Sequence, residues 1–479
     1  MKIFSKQTTS LLLLLSITCG ANASDTFNNN KPNIIFILID DMGKGDIGKQ
    51  NNGVPLTPNI DQLANNSKRY EQFYTVSPIC SPSRVSFFTG NYPSDYKIHS
   101  FIHTKKANTE RDMSDFLEKD VMNLARLTKA HGYKTAHIGK WHMGGGRDVG
   151  NAPKPTDYGF DRSYVSFEGL GDRLLFSNHQ NKLSTFSAQL GNGAIDWYPK
   201  DQTTEVYIDK SISFIDDSLE KQQPFYLQLW LNDVHDPHMP KGDFSQFTYQ
   251  ERFHRVLSSM DKQLGRLFKK INSTPDLLNT LIIFTSDNGP VSSKKYYSNN
   301  ANAPGDTNNL RGRKWSLYEG GINMPFFIHW PKKIKATTDK STLMSSIDLL
   351  PTIAGVLAHT PIAVAGTNLS QNWITGEEYS PEATLYFEYG STGNNYRHMK
   401  PYLLSDQSPE LAIRQGVWKL LMSPNAEYIE LYNIIEDPKE VNNISKLHPK
   451  IVESLTHKLL YWRNQFPQST IGLLNETRQ

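Results

Sequence analysis

The chain has 479 residues, with 51 Lys and Arg against 48 Asp and Glu and a formal net charge of +3. So even a balance supplies neither the basic field that draws nucleic acid nor a polybasic membrane-binding surface, and two cysteines exclude a disulfide-built scaffold. The length is enough to bury a large core, with one large domain and a smaller one expected.

Lys2 and Lys6 precede a short apolar run, Leu11 to Leu15 with Ile17, and Ala21-Asn22-Ala23 puts small residues at a cleavage position. This is the layout of a secretory signal, far shorter than the roughly 20 residues that span a bilayer. Cleavage after Ala23 is expected in preference to lipid attachment at Cys19, because Ile17 and Thr18 fit a lipoprotein signal poorly. It takes two lysines from the +3 and leaves +1. The product is expected to be exported, periplasmic or secreted, with no stable membrane insertion and no nucleic-acid partner. Cys80 is then its single thiol. A free cysteine is ordinarily a small packing residue, but one kept in an oxidising compartment calls for a reason.

Asn33-Ile-Ile-Phe-Ile-Leu-Ile39 is an uninterrupted apolar run that stops at Asp40 and Asp41. Such runs suit a parallel strand covered on both faces. Thr57-Pro58 reads as a helix start. Val121, Leu124, Ala125 and Leu127 have helical spacing, with Gly132 as a stop. Thr135 to Ile138 reads as a strand running into Lys140 and His142. Phe225 to Leu231 is another and leads to Asp233, His235 and His238. Leu281 to Thr285 ends at Asp287-Asn288-Gly289, and Phe326 to Trp330 is a fifth. Strands alternating with helical stretches predict an α/β fold, a large, mostly parallel central sheet flanked by helices over residues 24–375. From residue 376 short strand-like pieces (Leu385–Tyr389, Ala412–Arg414, Trp418–Leu421, Glu430–Tyr432) precede an amphipathic helix carrying Ile451, Leu455, Leu459 and Trp462. A C-terminal α+β subdomain, a short antiparallel sheet with a terminal helix, is expected over 376–479.

Open α/β sheets bind ligands at the carboxyl ends of their strands, where four of the five predicted strands release ionisable residues. Asp40, Asp41, Asp287 and Asn288 make an all-oxygen set suited to a hard cation such as Ca²⁺, or less favourably Mg²⁺. Singly, each pair is also an ordinary turn sequence. Lys140, His142 and Lys314 could surround an anion and move protons near neutral pH, although a lone Lys is usually a solvated residue.

Cys80-Ser-Pro-Ser-Arg84 with Thr89-Gly90 resembles the C-x-P-x-R signature of the formylglycine-dependent sulfatases, members of the alkaline-phosphatase-like superfamily. The other stations follow in that family's order. They are Asp40-Asp41, the segment Gly132 to His142, a His-x-Pro at His235, Asp287-Asn288-Gly289, Leu310-Arg-Gly-Arg-Lys314 with Tyr318-Glu-Gly-Gly321, and Gly416-Val-Trp-Lys419 before Asp437-Pro438. The resemblance spans about Lys31 to Phe466.

It implies that a maturation enzyme oxidises Cys80 to formylglycine, whose hydrate has two hydroxyls. One attacks the sulfur of a sulfate ester; the other, once deprotonated, expels sulfate. By the same resemblance Asp40, Asp41, Asp287 and Asn288 would hold one metal ion, together with the nucleophile oxygen at position 80. Arg84 would orient the diol, Lys140 and Lys314 would carry charge on the sulfate, His142 would be the base, and His235 the acid near the leaving oxygen. His238 is also followed by x-Pro; family spacing favours His235. Lys44, where an aromatic is common, and Asn323, where many members have Arg, depart from the pattern.

The expected substrate is a sulfated oligo- or polysaccharide, with a galactose- or N-acetylgalactosamine-type sulfate favoured. The alternatives are a phosphate or phosphonate monoester hydrolase on the same fold, or a non-catalytic binder of sulfated glycans. Two regions are candidates for specificity, residues 144–201 and 291–309. Arg147, Asp172, Arg173 and His179, within the first of them, and His238, outside both, are candidate sugar contacts.

Overall fold

The computed structural model describes residues 31–177, 182–297, 303–358, 361–377, 383–390 and 398–466. The expected export signal, Cys19, His179 and residues 298–302 of the second candidate loop lie outside them.

The strand Asn33–Ile39 pairs in parallel with Phe225–Leu231 on one side and Thr280–Ser286 on the other. Phe225–Leu231 pairs in parallel with Lys134–Lys140. All four strands are buried along their whole length. Their apolar runs follow from this, because the pleat sends alternate side chains into two different cores. Ile34, Phe36 and Leu38 join Phe87, Phe88 and Trp230 on one face. Ile35, Ile37 and Ile39 join Leu257, Leu264 and Phe268 on the other. Those last three belong to the helix Tyr249–Ser273, which Thr248 and Glu251 start with a reciprocal capping box.

Among the described residues the sheet has ten strands. Phe326–His329 extends it beyond Thr280–Ser286, running antiparallel, and Lys68–Tyr70 and Thr337–Asp339 follow at that edge. At the other edge Arg162–Ser166, Arg173–Phe176 and Ile195–Tyr198 add on in parallel. Part of the candidate specificity region 144–201 is therefore sheet. These edge strands span four or five residues and are partly exposed, so they carry no long apolar run to announce them.

The tail forms the expected antiparallel sheet. Thr384–Glu388, Leu411–Gln415, Trp418–Met422 and Ile429–Asn433 lie side by side in chain order. Leu455, Leu459 and Trp462 of the helix Pro449–Arg463 pack with Ile413 and Leu420. No helix among the described residues is long and apolar enough to cross a membrane. The order of the four central parallel strands sets up the site: their C-terminal ends put Asp287, Asp40, the His235 segment and Lys140 next to one another.

Candidate active site

Cys80 is the first residue of the helix Cys80–Thr89, every residue of which is buried. Ile79 enters it extended, and Gly90, at φ 70°, ends it in the left-handed conformation. Pro82 lies in the first turn, where its missing N–H leaves no helical bond unmade. Arg84, four residues on, shares the face of Cys80. Its Nε and one Nη donate to Asp287 Oδ2 at 3.0 and 2.7 Å, and the other Nη donates to the Lys140 carbonyl at 3.0 Å. Ser83 Oγ donates to the Asp287 carbonyl at 2.5 Å. One helical turn thus locks the helix to two strand ends.

The Cys80 Sγ lies 3.3 Å from Asp40 Oδ1 and 3.4 Å from Lys314 Nζ. Asp40 Oδ2 accepts from Lys140 Nζ at 2.6 Å, and Arg84 lies 3.3 Å from Oδ1. Asp41, at φ 63°, accepts Lys314 Nζ on both oxygens at 2.6 and 2.8 Å and Asn288 Nδ2 at 2.7 Å. Asp287 Oδ1 accepts the Asp41 amide at 3.1 Å. Asp40, Asp41, Cys80 and His235 each offer a ligand atom, all within 4.8 Å of one another. Asn288 Oδ1 is buried with no hydrogen-bond partner.

The electrostatics divide the acids. Burial alone would raise Asp40, but Lys140, His235, Arg84 and Lys314 outweigh it and hold that carboxyl well below its usual range. Burial, then the neighbouring charge of Asp40, pushes Asp287 up to about 7, with Arg84 opposing. Burial, reinforced by Asp40, also pushes the Cys80 thiol far up, so a resting thiolate is disfavoured. Lys314, though buried, is held well above its usual value by Asp41 and by Cys80 and Asp40, and stays an ammonium.

His235 Nε2 lies 3.7 Å from Asp41 Oδ2, and its side chain keeps 25% exposure in an otherwise buried cluster. His238 is buried and donates from Nε2 to the Val234 carbonyl at 2.9 Å. Of the two, His235 faces the acids. His142 is buried, with the Phe167 ring edge-on at 4.9 Å between centroids. The same ring lies 4.8 Å from Lys140 Nζ and 6.1 Å from the His235 ring.

The remaining sugar-contact candidates are scattered. Arg147 is half-buried and pairs through Nε with Glu168 at 2.7 Å. Asp172 is exposed and accepts the Ala194 amide. Arg173 is 1% exposed; its guanidinium donates to Ser187 Oγ and to the Gly171, Ser187 and Gly191 carbonyls, which places it inside the sheet edge. The two departures from the family pattern meet each other: Lys44 Nζ donates to Asn323 Oδ1 at 2.8 Å and to the Glu71 carbonyl at 2.6 Å. A lysine supplied from one loop meets the amide at the other position.

Phe167, Glu168 and Lys200 escaped the sequence reading. Lys200 Nζ donates to the His235 and Pro237 carbonyls at 2.5 and 2.9 Å, holding the turn that presents His235. Phe167 and Glu168 sit at φ 45° and 59°, a conformation that non-glycine residues seldom adopt and seldom signal. The nearest sequence cue was the glycine-rich setting of Gly169 and Gly171.

A family model described as Sulfatase matches residues 32–359, and one described as N-sulphoglucosamine sulphohydrolase, C-terminal, matches residues 312–465. The chain is 27% identical to an N-acetylgalactosamine-6-O-sulfatase of Bacteroides thetaiotaomicron, over 90% of this chain and 93% of that protein. It is 29% identical to Arylsulfatase A of Bos taurus, over 78% and 73%. The crystal structure of Ps i-CgsB in complex with k-i-k-neocarrahexaose superposes with a TM-score of 0.73 at 26% identity, covering 92% of this chain and 94% of that one.

Proposed function

The chain belongs to the sulfatase family and is a sulfuric ester hydrolase; from that premise we propose that it removes O-sulfate from a sulfated oligo- or polysaccharide, with the oxidised form of Cys80 as nucleophile. The observation that carries this reading is the position of Cys80 Sγ, 3.3 Å from Asp40 and 3.4 Å from Lys314 at the head of a buried helix. The raised thiol supports it as well, because a protonated sulfur is a poor nucleophile and conversion to formylglycine would replace it with hydrated-aldehyde oxygens.

The donors fit a hard divalent cation, calcium by their chemistry. Asp40, Asp41, Asp287 and Asn288 would hold it, since all offer oxygen and Asn288 Oδ1 is buried without a partner. When bound, it would supply positive charge beside the sulfate oxygens.

The chain's own groups do the rest. Arg84 fixes Asp287 and orients the nucleophile at position 80. Lys140 and Lys314 bring preorganised positive charge to the sulfate, where fixed cations stabilise charge without reorganising. His142 accepts a proton from the nucleophile side. His235, at the more exposed side of the cluster, donates a proton to the leaving alcohol, with the Lys314 ammonium beside it as a hydrogen-bond donor. The likeness to an N-acetylgalactosamine-6-O-sulfatase and to a structure holding a neocarrahexaose supports a sulfated glycan substrate, and an N-acetylgalactosamine- or galactose-type sulfate is the one favoured.

The test compares aryl sulfate with aryl phosphate, then a panel of defined sulfated saccharides, with Cys80→Ala as the blank. Sulfate preference, loss on chelation and recovery with calcium are expected. Phosphate preference would defeat the reaction class, and desulfation confined to glucosamine-type saccharides would defeat the sugar.

A further inference from the structure

Glu168 is a buried carboxylate that the mechanism above leaves unused. Its Oε2 lies 3.5 Å from His142 Nε2, and its Oε1 lies 2.7 Å from Arg147 Nε. Burying a carboxylate is costly unless charged donors meet it, and here it is set between an arginine and an imidazole. Its backbone and that of Phe167 adopt positive φ, so the chain takes up an uncommon conformation at the two residues that contact His142. Both ring nitrogens of His142 are buried without a hydrogen-bond partner, and Glu168 is its carboxylate neighbour. Such contacts are commonly long in a ligand-free enzyme and tighten in the loaded one.

We propose that Glu168 is the positioning residue for His142. Its carboxylate holds the proton on Nε2, so that Nδ1 keeps the lone pair with which His142 accepts a proton, while the charge of Arg147, 2.7 Å away, attracts the carboxylate's other oxygen. This rests on the reading of His142 as the base. No proton passes to Glu168: the imidazole gains one at Nδ1, becomes a cation, and returns it later. The other charges around His142 are Lys140, Arg84, Asp40 and Arg147. Of these Lys140, Arg84 and Arg147 are cations that oppose an imidazolium and Asp40 favours it; Glu168, pushed up by burial against Arg147 and Lys140, is a second carboxylate, placed beside Nε2. Burial, ahead of Lys140 and Arg84, holds His142 well below its usual value, which keeps the resting ring neutral and its tautomer meaningful.

The geometry makes Glu168→Gln informative. Arg147 can only donate, so it would take the amide oxygen and turn the NH₂ toward His142 Nε2. The ring proton would then move to Nδ1, and the base would lose its lone pair. The test is nitrogen NMR of full-length protein labelled with ¹⁵N-histidine and supplied with calcium, the His142 signals being assigned with His142→Gln. In the unsubstituted protein, a protonated Nε2 and a bare Nδ1 are expected; the opposite tautomer overturns the proposal without any variant. In Glu168→Gln the tautomer is expected to reverse, with kcat falling about 100-fold or more and KM within about twofold, as for an interaction made only in the transition state. Glu168→Asp keeps the carboxylate and should keep the native tautomer with under about tenfold loss. A tautomer that stays put in Glu168→Gln, or equal losses in the Gln and Asp variants with rising KM, overturns the proposal. A tautomer that reverses while kcat is untouched removes His142 as the base, and with it the reading on which the proposal rests.

Discussion

Arg84 combines three duties that only a guanidinium covers: two donors to Asp287, one to the Lys140 carbonyl, and charge 3.3 Å from Asp40. A lysine cannot supply a planar fork, and breaking such a fully buried pairing typically costs about 3–5 kcal/mol. Arg84→Lys is therefore expected to lower unfolding stability by about that much and to cut kcat by on the order of 100-fold. Urea unfolding in a Cys80→Ala background, compared with turnover in the active enzyme, checks both; unchanged stability would mean that Asp287 finds another partner. The sequence made this residue legible through the resemblance of Cys80-Ser-Pro-Ser-Arg84 to the sulfatase signature; the structure adds that Cys80 and Arg84 are one helical turn apart. Asp40, Asp41, Asp287 and Asn288 were legible for a different reason, each pair closing an apolar run. Phe167 and Glu168 were not. They sit in a turn with no periodicity, and left-handed backbone at a phenylalanine or a glutamate leaves no mark in a sequence. His235 could be preferred to His238 only by spacing; their difference is that one faces Asp41 and the other donates to the Val234 carbonyl.

The strand Lys134–Lys140 delivers Lys140 through Gly139, at φ 114°, where an added Cβ would come 1.9 Å from the Trp230 carbonyl oxygen of the neighbouring strand. Gly139→Ala must strain the backbone and part the two strands, a cost of about 3 kcal/mol or more. The expected outcome is a lower melting temperature together with lost activity, since Lys140 moves with its strand; full activity at an unchanged melting temperature would contradict the register. A second element carries a pH signature. Asp348, preceding the helix Leu349–Val356, accepts the Ser345 and Thr367 amides, each at 2.7 Å. Burial pushes it up to about 7, with those amides opposing. A carboxyl raised above its unfolded value contributes stability that is full below the unfolded value and lost as pH rises through the folded one. The stability of the unsubstituted protein relative to Asp348→Asn, read by urea unfolding from pH 5 to pH 8, should therefore fall as pH rises toward 7; a difference that does not change with pH would rule this group out. Long buried strands announced themselves by composition, whereas the four- and five-residue edge strands did not, because a half-exposed strand of that length lacks a distinctive pattern.

The antiparallel sheet of the tail is tied to the main sheet's loops by charge as well as by packing. Lys419 Nζ, buried in the strand Trp418–Met422, lies 2.8 Å from both Glu319 and Glu440. Glu319 also accepts Tyr74 Oη at 2.8 Å, five residues beyond Lys314 in the chain. Lys419→Met would leave two carboxylates buried without their cation, a loss of about 3–5 kcal/mol. Loss of stability in urea unfolding, partly restored by adding Glu440→Gln, is expected; a stable Lys419→Met protein would mean that the triad contributes nothing net. The sequence predicted both sheets but not this join, because a lysine inside a strand pattern reads as a solvated face until the fold covers it. The whole molecule thus serves to hold position 80 at the head of a buried helix, among fixed charges. The most direct measurement of that account is sulfate-ester turnover in preparations with graded conversion of Cys80 to formylglycine, the converted fraction being read by peptide mass. Turnover proportional to that fraction, and absent at zero, is expected. Full turnover in protein whose Cys80 is entirely unconverted would contradict it.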